Sequence, residues 1–152
     1  VTGVQTCALP IFTFEEEPVS AGEMSARLAA AGDAHPWLVW DEAGQVRGYA
    51  HASPWKSRCA FRYSVETSVY LAQEAIGRGY GTAIYRELIA RLENTRCHSL
   101  LAGIALPNDG SIALHEKLGF KKIGQFQEVG YKFNRWIDVA YWELIFTGGG
   151  PV

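Results

Sequence analysis

Three glycines alternate with other residues in the segment Ile76-Gly77-Arg78-Gly79-Tyr80-Gly81-Thr82. The segment follows a long alternating stretch, Phe61 to Leu71, and precedes an amphipathic stretch, Thr82 to Asn94, so it joins a predicted strand to a predicted helix. Glycines let successive N–H groups point into one concavity, and the helix adds about half a positive charge at its N-terminus. We therefore expect a pyrophosphate here, with Arg78 as a counter-charge; the alternative is a turn that binds no ligand.

Two better-known phosphate loops do not fit this segment. The P-loop requires a lysine and then a serine or threonine after its last glycine, but Thr82 follows Gly81 directly. The dinucleotide-binding fold places its glycine loop after the first strand of a repeated βαβ unit, whereas a hairpin-rich region precedes the loop here. The surroundings of the loop indicate a different α/β fold.

The remaining patterns predict one α/β domain with a mixed sheet. Before the loop, Ser20 begins a capping box with Glu23, and the helix after this cap runs to about Ala31 and stops at Gly32. After the loop, Leu100 to Leu106 is apolar throughout, which is typical of a strand buried on both faces. The other predicted elements are a hairpin of Trp37 to Trp40 with Val46 to Ser53, a helix capped by Ser111 that ends at Gly119, and two antiparallel strands from Phe120 to Phe146 joined near Asn134.

The first eleven residues, VTGVQTCALPI, differ in pattern from the rest of the chain. They alternate like neither a strand nor an amphipathic helix, and Pro10 breaks the stretch. The string resembles translated adapter sequence, so we expect a chimeric or truncated N-terminus; the alternative is an ordinary irregular leader. The predicted organisation is a foreign-looking leader at 1–11, a domain at 12–147 and a flexible glycine-rich tail at 148–152.

Charge and composition exclude several classes of function. The net charge of −2 gives no basic field for nucleic acid or anionic lipid, and no apolar run reaches the length of a membrane span. Three widely spaced cysteines suit reduced thiols in a cytoplasm better than a disulfide framework. The four histidines show no metal-ligand spacing, so we expect no metal site.

The order strand, glycine loop, helix, buried strand, asparagine turn and short helix resembles the acetyl-CoA site of the GNAT acetyltransferase superfamily. The loop motif of that family, Gln/Arg-x-x-Gly-x-Gly/Ala, falls on Ile76 to Gly81, with Ile76 in place of the usual polar first residue. The resemblance implies a GNAT-like, mostly antiparallel twisted sheet flanked by helices, and acetyl-CoA as co-substrate. The implied cofactor-binding residues are Val69, Tyr70, Leu71, Gly77, Arg78, Gly79, Tyr80, Gly81, Thr82, Asn108 and Ser111.

A closer resemblance is to the phosphinothricin and methionine-sulfoximine N-acetyltransferase family, from about Thr13 to Phe146. It rests on several blocks in the right order: Ser53-Pro54-Trp55-Lys56-Ser57-Arg58, Val65-Glu66-Thr67-Ser68-Val69-Tyr70, Leu106-Pro107-Asn108-Asp109, Leu114-His115-Glu116-Lys117-Leu118-Gly119-Phe120, and Gly130-Tyr131-Lys132-Phe133 to Trp136-Ile137-Asp138-Val139. The family's first strand and first helix have no counterpart where the leader stands. The resemblance implies a homodimer and a small amino-acid-like amine as acceptor.

The same resemblance supplies two catalytic candidates. Acyl transfer to an amine needs a base, because an α-ammonium group has a pKa of about 8. The family assigns that role to a glutamate carried over to Glu66, which lies mid-strand among apolar neighbours; the alternative is a solvent-facing glutamate. His115 takes the position from which a tyrosine protonates the departing thiolate in many GNAT enzymes. A lone helical histidine is also commonly a packed or hydrogen-bonded residue, and that alternative stays open.

An acceptor with a carboxylate requires cationic partners, for which the candidates are Lys56, Arg58 and Lys132. Arg58 lies in the turn that leads into the Glu66 strand. For each of the three cations, the alternative is a solvated surface charge with no ligand. Trp55, Phe61, Tyr63 and Trp136 are candidate walls of the acceptor pocket. Two further alternatives remain: an acetyltransferase for another amine, such as a polyamine, peptide or antibiotic, and a non-catalytic CoA-binding module or inactive fragment.

Overall fold

The computed structural model describes residues 19–32, 34–148 and 150. The predicted leader at 1–11, the region in which a first strand and helix were predicted to be absent, and most of the predicted tail at 148–152 lie outside these residues. The elements, in chain order, are α1 (Ala21–Ala31), β1 (Trp37–Glu42), β2 (Gln45–Pro54), β3 (Ser64–Leu71), α2 (Tyr80–Glu93), β4 (Ser99–Ala105), α3 (Asp109–Lys117), β5 (Lys121–Lys132) and β6 (Arg135–Ile145).

The six strands form a single sheet in the order β1-β2-β3-β4-β6-β5. Only β3 and β4 run parallel, and the other neighbours are antiparallel. A parallel pair needs a long crossover, which the glycine loop and α2 provide, whereas β1 and β2 are joined by a tight turn in which Gly44 N donates to Asp41 Oδ1 at 2.9 Å. The predicted mixed, mostly antiparallel sheet flanked by helices is confirmed.

The hydrophobic core lies between α2 and one face of the sheet. Leu88 and Leu92 on α2 are fully buried, and Ile84 and Tyr85 lie beside them on the same stripe. They pack against Val65 and against the inward side chains of the neighbouring strands: Ala50, Ala52, Leu100, Ala102, Ile104, Ala140 and Trp142. The predicted apolar stripe of this helix is confirmed, with Ile89 only partly buried at its edge.

Two predicted boundaries are wrong. The last helix is capped by Asn108 and not by Ser111, because the Asn108 side chain accepts a hydrogen bond from Ser111 N at 3.1 Å. The strand predicted from Phe61 begins instead at Ser64, since Cys59–Phe61 forms a 3₁₀ turn in which Phe61 N donates to Arg58 O. By contrast, the Ser20 cap is confirmed, with Glu23 N donating to Ser20 Oγ at 3.1 Å.

The opposite face of the sheet is less covered. Among the described residues, α1 contributes no buried side chain. The Trp37 ring stacks on His51 with centroids 4.1 Å apart, and Tyr49 packs beside Tyr70 at 5.1 Å. No helix in the described part of the chain is long and apolar enough to cross a membrane. The same residues contain no cluster of three or more side chains suited to hold a metal ion.

Candidate active site

The two parallel strands at the centre of the sheet separate soon after they begin. β3 and β4 pair only at Ser64–Ser99, Val65–Leu100 and Glu66–Leu101, although β3 continues to Leu71 and β4 to Ala105. Beyond Glu66 the strands therefore diverge and leave a fork in the sheet. Each strand remains paired on its other edge, β3 with β2 and β4 with β6. The fork is a slot bordered by backbone.

The β3 edge of this fork carries backbone groups without a strand partner. Trp55 N donates to Ser64 O and Ala72 N donates to Arg47 O, which fixes the antiparallel alternation along β3. Tyr70 consequently turns its backbone groups towards β2, whereas Val69 and Leu71 turn theirs towards the fork. An amide-containing chain laid in the fork can pair with Val69 and Leu71 as an added strand would. Of the three predicted main-chain contacts, the geometry favours these two.

The glycine loop lies at the open end of the fork. Gly77 and Gly79 have φ values of 79° and 84°, and no atom lies within 4 Å of the position that a Cβ would occupy at either residue. Gly81 is buried, and a Cβ there would lie 3.1 Å from Leu71 Cδ1. Because Gly81 has no side chain, the start of α2 can approach the end of β3 this closely. The predicted loop therefore forms, and it opens towards the fork.

The first turn of α2 is suited to an anion. Gly79 is its N-cap residue and supplies no side-chain acceptor, so no cap side chain engages the N–H groups of the first turn, which includes Thr82. Those N–H groups and the partial positive charge of the helix together favour a phosphate. This arrangement fits the pyrophosphate expected from the sequence.

Arg78 and Tyr80 are held by a residue that the sequence did not single out. Glu42, at the end of β1, accepts a hydrogen bond from the Tyr80 hydroxyl and lies 3.6 Å from Arg78 Nη1. The hydrogen bond from Tyr80, together with the nearby arginines, lowers the pKa of the Glu42 carboxyl. The Tyr80 ring also stacks on Trp40 at 4.8 Å. The predicted counter-charge is thus already paired, and the loop is braced against the β1–β2 hairpin.

The middle of α3 packs against the first turn of α2. Leu114 Cδ2 lies 3.6 Å from the position of a Cβ on Gly81. The Asn108 side-chain oxygen is committed to the cap of α3, and the Ser111 carbonyl accepts a hydrogen bond from His115 Nδ1 at 2.7 Å. Both predicted residues therefore have part of their hydrogen-bonding capacity used within α3, and their contact with the cofactor stays a prediction.

Glu66 occupies the vertex of the fork, on the face of the sheet away from α2. Burial raises the pKa of its carboxyl, and the charge of Lys56 opposes that rise. Burial also raises the pKa of the Tyr141 hydroxyl, and the Glu66 carboxylate adds to the effect. A half-buried carboxylate with a raised pKa is a stronger base than an exposed one, so this position suits proton abstraction from an amine.

Aromatic side chains enclose the space beside Glu66. Tyr141 lies over Gly103, where a Cβ would come 3.1 Å from its ring, so a side chain at this position would displace the ring by a few tenths of an ångström. Trp55 and Phe126 pack edge-on against Tyr141, with centroid distances of 5.3 and 5.9 Å. The sequence predicted Trp55 in this wall but missed Tyr141 and Phe126. The glycine within the apolar strand was the signal for a close neighbour.

The other predicted aromatic walls are not brought together. Trp136 is 61 % exposed at the far end of the β5–β6 hairpin and packs against Tyr131 at 4.9 Å. Phe61 is exposed in the 3₁₀ turn before β3. Tyr63 lies under the Arg62 guanidinium at 4.6 Å, directly before β3.

The three predicted anion partners occupy two regions. Lys56 lies over the Trp55 ring at 4.6 Å, and its charge acts on the Glu66 carboxyl. Arg58 is exposed in the same turn. Lys132 is buried beside Phe133 at the tip of the β5–β6 hairpin, at the opposite end of the β6 ladder from the level of Glu66. The structure thus groups Lys56 and Arg58 and separates Lys132 from them.

His115 lies in the core and not on the wall of the fork. Only 3 % of the residue is exposed, and burial lowers the pKa of its imidazole. Its Nδ1 is 2.7 Å from the Ser111 carbonyl and its Nε2 is 3.0 Å from the Tyr85 hydroxyl. Both ring nitrogens therefore have partners inside the protein. Its predicted donation of a proton to a thiolate stays a prediction.

Comparison with known proteins identifies the family of this arrangement. The acetyltransferase (GNAT) domain family matches residues 5–141. The chain belongs to the GNAT acetyltransferase family. It is 38 % identical over 138 residues to a phosphinothricin N-acetyltransferase of Streptomyces viridochromogenes, covering 91 % of this chain and 75 % of the relative. It is also 38 % identical to an L-methionine sulfoximine/L-methionine sulfone acetyltransferase of Pseudomonas paraeruginosa, covering 86 % and 77 %.

A solved GNAT structure shows the same fold. The phosphinothricin acetyltransferase of Sinorhizobium meliloti, determined in complex with acetyl-CoA, superposes with a TM-score of 0.86 at 39 % identity. The match covers 91 % of this chain and 76 % of that protein. The GNAT fold, the resemblance to the phosphinothricin and methionine-sulfoximine family and the acetyltransferase class predicted from the sequence are confirmed.

Proposed function

We propose that this GNAT chain transfers the acetyl group of acetyl-CoA to the primary amine of a small amino-acid-like acceptor, such as phosphinothricin or methionine sulfoximine. The observation that carries the proposal is the position of Glu66: a half-buried carboxylate at the vertex of a backbone-lined fork, with a raised pKa. The names of the relatives and the acetyl-CoA complex of the Sinorhizobium meliloti enzyme support this choice of substrates.

The fork and the glycine loop bind the co-substrate in this proposal. The backbone groups of Val69 and Leu71 pair with the amides of the pantetheine arm, and the first turn of α2 holds the pyrophosphate. Arg78 exchanges part of its contact with Glu42 for a phosphate oxygen. This arrangement directs the thioester towards Glu66 at the vertex.

Glu66 then serves as the general base. It takes a proton from the acceptor ammonium, the freed nitrogen attacks the thioester carbonyl carbon, and the carbon–sulfur bond breaks as the carbon–nitrogen bond forms. The attacking nitrogen then loses its second proton to solvent, and the departing thiolate takes up a proton and leaves as the thiol of coenzyme A. Alignment of the two substrates in the fork supplies much of the acceleration, because it replaces a bimolecular encounter.

The charged turn and the aromatic wall recognise the acceptor. Arg58 and Lys56 bind its carboxylate, and Trp55, Phe126 and Tyr141 enclose its side chain beside Glu66. An anionic, partly apolar amino acid fits these partners better than a polyamine does, because a polycation would meet Lys56 and Arg58. Acetylation of phosphinothricin in the cytoplasm would give resistance to that compound.

We also propose a homodimer, as the resemblance implies. The β5–β6 hairpin exposes several large apolar side chains, each more than half exposed: Ile123, Phe126, Val129, Tyr131, Phe133 and Trp136. A second copy of the chain would cover them, since soluble monomers seldom expose contiguous apolar patches. Analytical ultracentrifugation of the wild type and of Val129→Glu tests this, and a wild-type monomer at high concentration contradicts it.

A thiol-release assay over a panel of acceptors tests the proposed activity. Phosphinothricin, methionine sulfoximine and methionine sulfone are compared with spermidine and with a short peptide, and mass spectrometry identifies the acetylated nitrogen. Release with the first three compounds alone is the expected result. Release with spermidine or peptide alone shows a different acceptor class. Binding of acetyl-CoA by calorimetry with no release from any acceptor shows a non-catalytic module.

A further inference from the structure

A chain of buried hydrogen bonds connects the vertex of the fork to the start of α3. Starting from α3, the Ser111 carbonyl meets His115 Nδ1 at 2.7 Å, and His115 Nε2 meets the Tyr85 hydroxyl at 3.0 Å. The Tyr85 hydroxyl then meets Thr67 Oγ1 at 2.6 Å, and Thr67 Oγ1 lies 3.3 Å from the Leu101 carbonyl. Two helices and two strands are joined by one line of contacts. We call it the Thr67–His115 chain.

The direction of the hydrogen bonds follows from the acceptors at the ends. The Ser111 carbonyl can only accept, so His115 Nδ1 carries a proton. Burial lowers the pKa of His115, so the imidazole is neutral and its Nε2 must accept. Tyr85 therefore donates to Nε2. Burial raises the pKa of Tyr85, which keeps that proton in place. The single Thr67 proton is then shared, with the Tyr85 oxygen as the nearer acceptor at 2.6 Å and the Leu101 carbonyl at 3.3 Å.

The chain reaches the sheet at the point where the fork opens. Glu66 and Leu101 form the last paired position of β3 and β4, and Thr67 is the next residue of β3. Neighbouring residues of a strand point to opposite faces, so Thr67 points to α2 while Glu66 points to the acceptor side. Whatever fixes Thr67 against the Leu101 carbonyl therefore fixes the width of the fork and the placement of Glu66.

Polar atoms in this position need an explanation other than packing. Thr67 and Tyr85 lie within the hydrophobic core, where an unbonded hydroxyl is destabilising and an apolar side chain of the same shape would fill the space as well. What hydrogen bonds add is direction, because each one fixes an angle as well as a distance. Contacts that set the angle between two diverging strands must be directional in this way.

We propose that Thr67 and Tyr85 are positioning residues that, through His115, hold the fork at the width that acetyl-CoA requires. The inference rests on the proposed function, since it takes the fork as the acetyl-CoA site. In this role His115 acts from the core, as the link that orients Tyr85. Removing either hydroxyl loosens the vertex and weakens acetyl-CoA, while acceptor contacts on the opposite face remain.

Two isosteric substitutions test the chain by isothermal titration with acetyl-CoA. Tyr85→Phe keeps the ring against Phe120 and removes only the hydroxyl, and Thr67→Val keeps the shape and removes the other hydroxyl. We expect each to raise the dissociation constant of acetyl-CoA about tenfold, the equivalent of one buried hydrogen bond. Thr67→Ser, which keeps a hydroxyl, should bind within about twofold of the wild type.

Ser99→Ala provides the matched control. Ser99 is also buried on β4, and its hydroxyl donates to Glu143 Oε1 at 3.0 Å, but it lies in the paired region before the fork. We expect a lower melting temperature with unchanged acetyl-CoA affinity. Steady-state kinetics add a second readout: the acetyl-CoA KM should rise in Tyr85→Phe and Thr67→Val, whereas the acceptor KM stays near that of the wild type.

The outcomes separate the inference from the proposed function. If the wild type binds acetyl-CoA and both variants, folded at the assay temperature, bind it equally well, the positioning role is wrong and the proposed function stands. If Ser99→Ala loses as much affinity as they do, general destabilisation explains the loss and the inference fails. If the wild type itself binds no acetyl-CoA, both are wrong. The Thr67→Val/Tyr85→Phe double variant gives a last test. If it binds acetyl-CoA no more weakly than the single variant with the larger loss of affinity, the two hydroxyls act in one continuous chain; if the two losses add, they do not.

Discussion

The two faces of the central sheet are built on different plans. The face under α2 is an aliphatic and aromatic core in which the polar atoms of Thr67, Tyr85 and His115 satisfy one another. The face that carries Glu66 is only partly covered, and aromatic rings and single charges meet there with few hydrogen bonds between them. Among the described residues, His51 Nδ1 is buried on that face without a hydrogen-bond partner.

In the proposed reaction this difference corresponds to the two substrates. The half proposed for the co-substrate depends on the backbone: an open strand edge, two residues with positive φ and a helix start that approaches a strand at Gly81. In this half the identity of a residue matters mainly at the glycine positions of the loop and of the first turn of α2. The acceptor half consists of side chains that stand on the sheet individually, so single substitutions can alter it without disturbing the fold. A site built from backbone suits a ligand that is always the same, such as acetyl-CoA. A site built from single side chains suits an acceptor that differs from one enzyme to another.

Replacing the base should have the largest effect. Glu66→Gln keeps the shape of the side chain but cannot accept a proton, so kcat should fall by roughly 10²–10⁴-fold while acetyl-CoA affinity changes little. The acidic limb of the rate–pH profile, which lies above the ordinary carboxyl range because burial raises the pKa of Glu66, should disappear. Wild-type kcat with an unchanged profile would assign the base to another group.

Distorting the glycine loop should have the next largest effect. At Gly79 the φ of 84° strains any L side chain by about 1–2 kcal/mol, and valine also projects into the space that the phosphates need. We expect Gly79→Val to weaken acetyl-CoA binding by about tenfold or more. Gly22→Ala is the control, because Gly22 has equal room around its Cβ position and no positive φ. Unchanged affinity in a folded Gly79→Val protein means that the loop does not hold the pyrophosphate.

Removing Arg58 should affect only the acceptor half. Loss of a charge-assisted bond to the acceptor carboxylate should raise the acceptor KM about tenfold, with the acetyl-CoA KM unchanged. Arg62→Ala serves as the control, because the Arg62 side chain is already bound to the Cys59 carbonyl at 2.8 Å and lies over Tyr63. Equal effects from both variants would show a general charge effect and not a specific contact.

The smallest expected effect comes from Lys56. Its positive charge stabilises the Glu66 carboxylate, so Lys56→Met should raise the pKa of Glu66 further. The acidic limb of kcat/KM should then move to higher pH, by up to about one unit, because solvent screens a partly exposed pair. Above the limb kcat should stay the same, whereas the acceptor KM should rise, because Lys56 also binds the acceptor carboxylate in the proposed function. A shift to lower pH would mean that Lys56 does not act on Glu66 through its charge.

Local signals predicted the backbone-built half from the sequence. Alternating glycines after a strand, an amphipathic helix and an apolar strand are readable within short windows, whereas the fork between β3 and β4 was not predicted. Glu66 was identified through a family resemblance together with its unusual place in a strand. The cap was assigned to Ser111 in error because serine and asparagine cap helices about equally well, and only the backbone distinguishes Asn108 from its neighbour.

Residues that act across the sheet were not predictable in this way. Glu42 braces the glycine loop across 38 residues of sequence, and Tyr85 meets His115 across 30. Tyr141 reaches the side of Glu66 only because the register places it opposite Gly103. Such pairings depend on strand order and register, which a single sequence does not specify. Such contacts occur on both faces of the sheet, and on the acceptor face they account for the two wall residues that the sequence missed, Tyr141 and Phe126.

The short ladder between β3 and β4 makes the sheet two panels joined along a narrow seam of three residue pairs. One panel holds β1 to β3 and the other β4 to β6, so opening at the seam costs few backbone hydrogen bonds. A ligand whose amides lie in the fork supplies the missing strand between the panels. Acetyl-CoA would thereby become part of the architecture, slowing amide hydrogen exchange along 67–71 and 102–105 and making the two panels unfold as one cooperative unit.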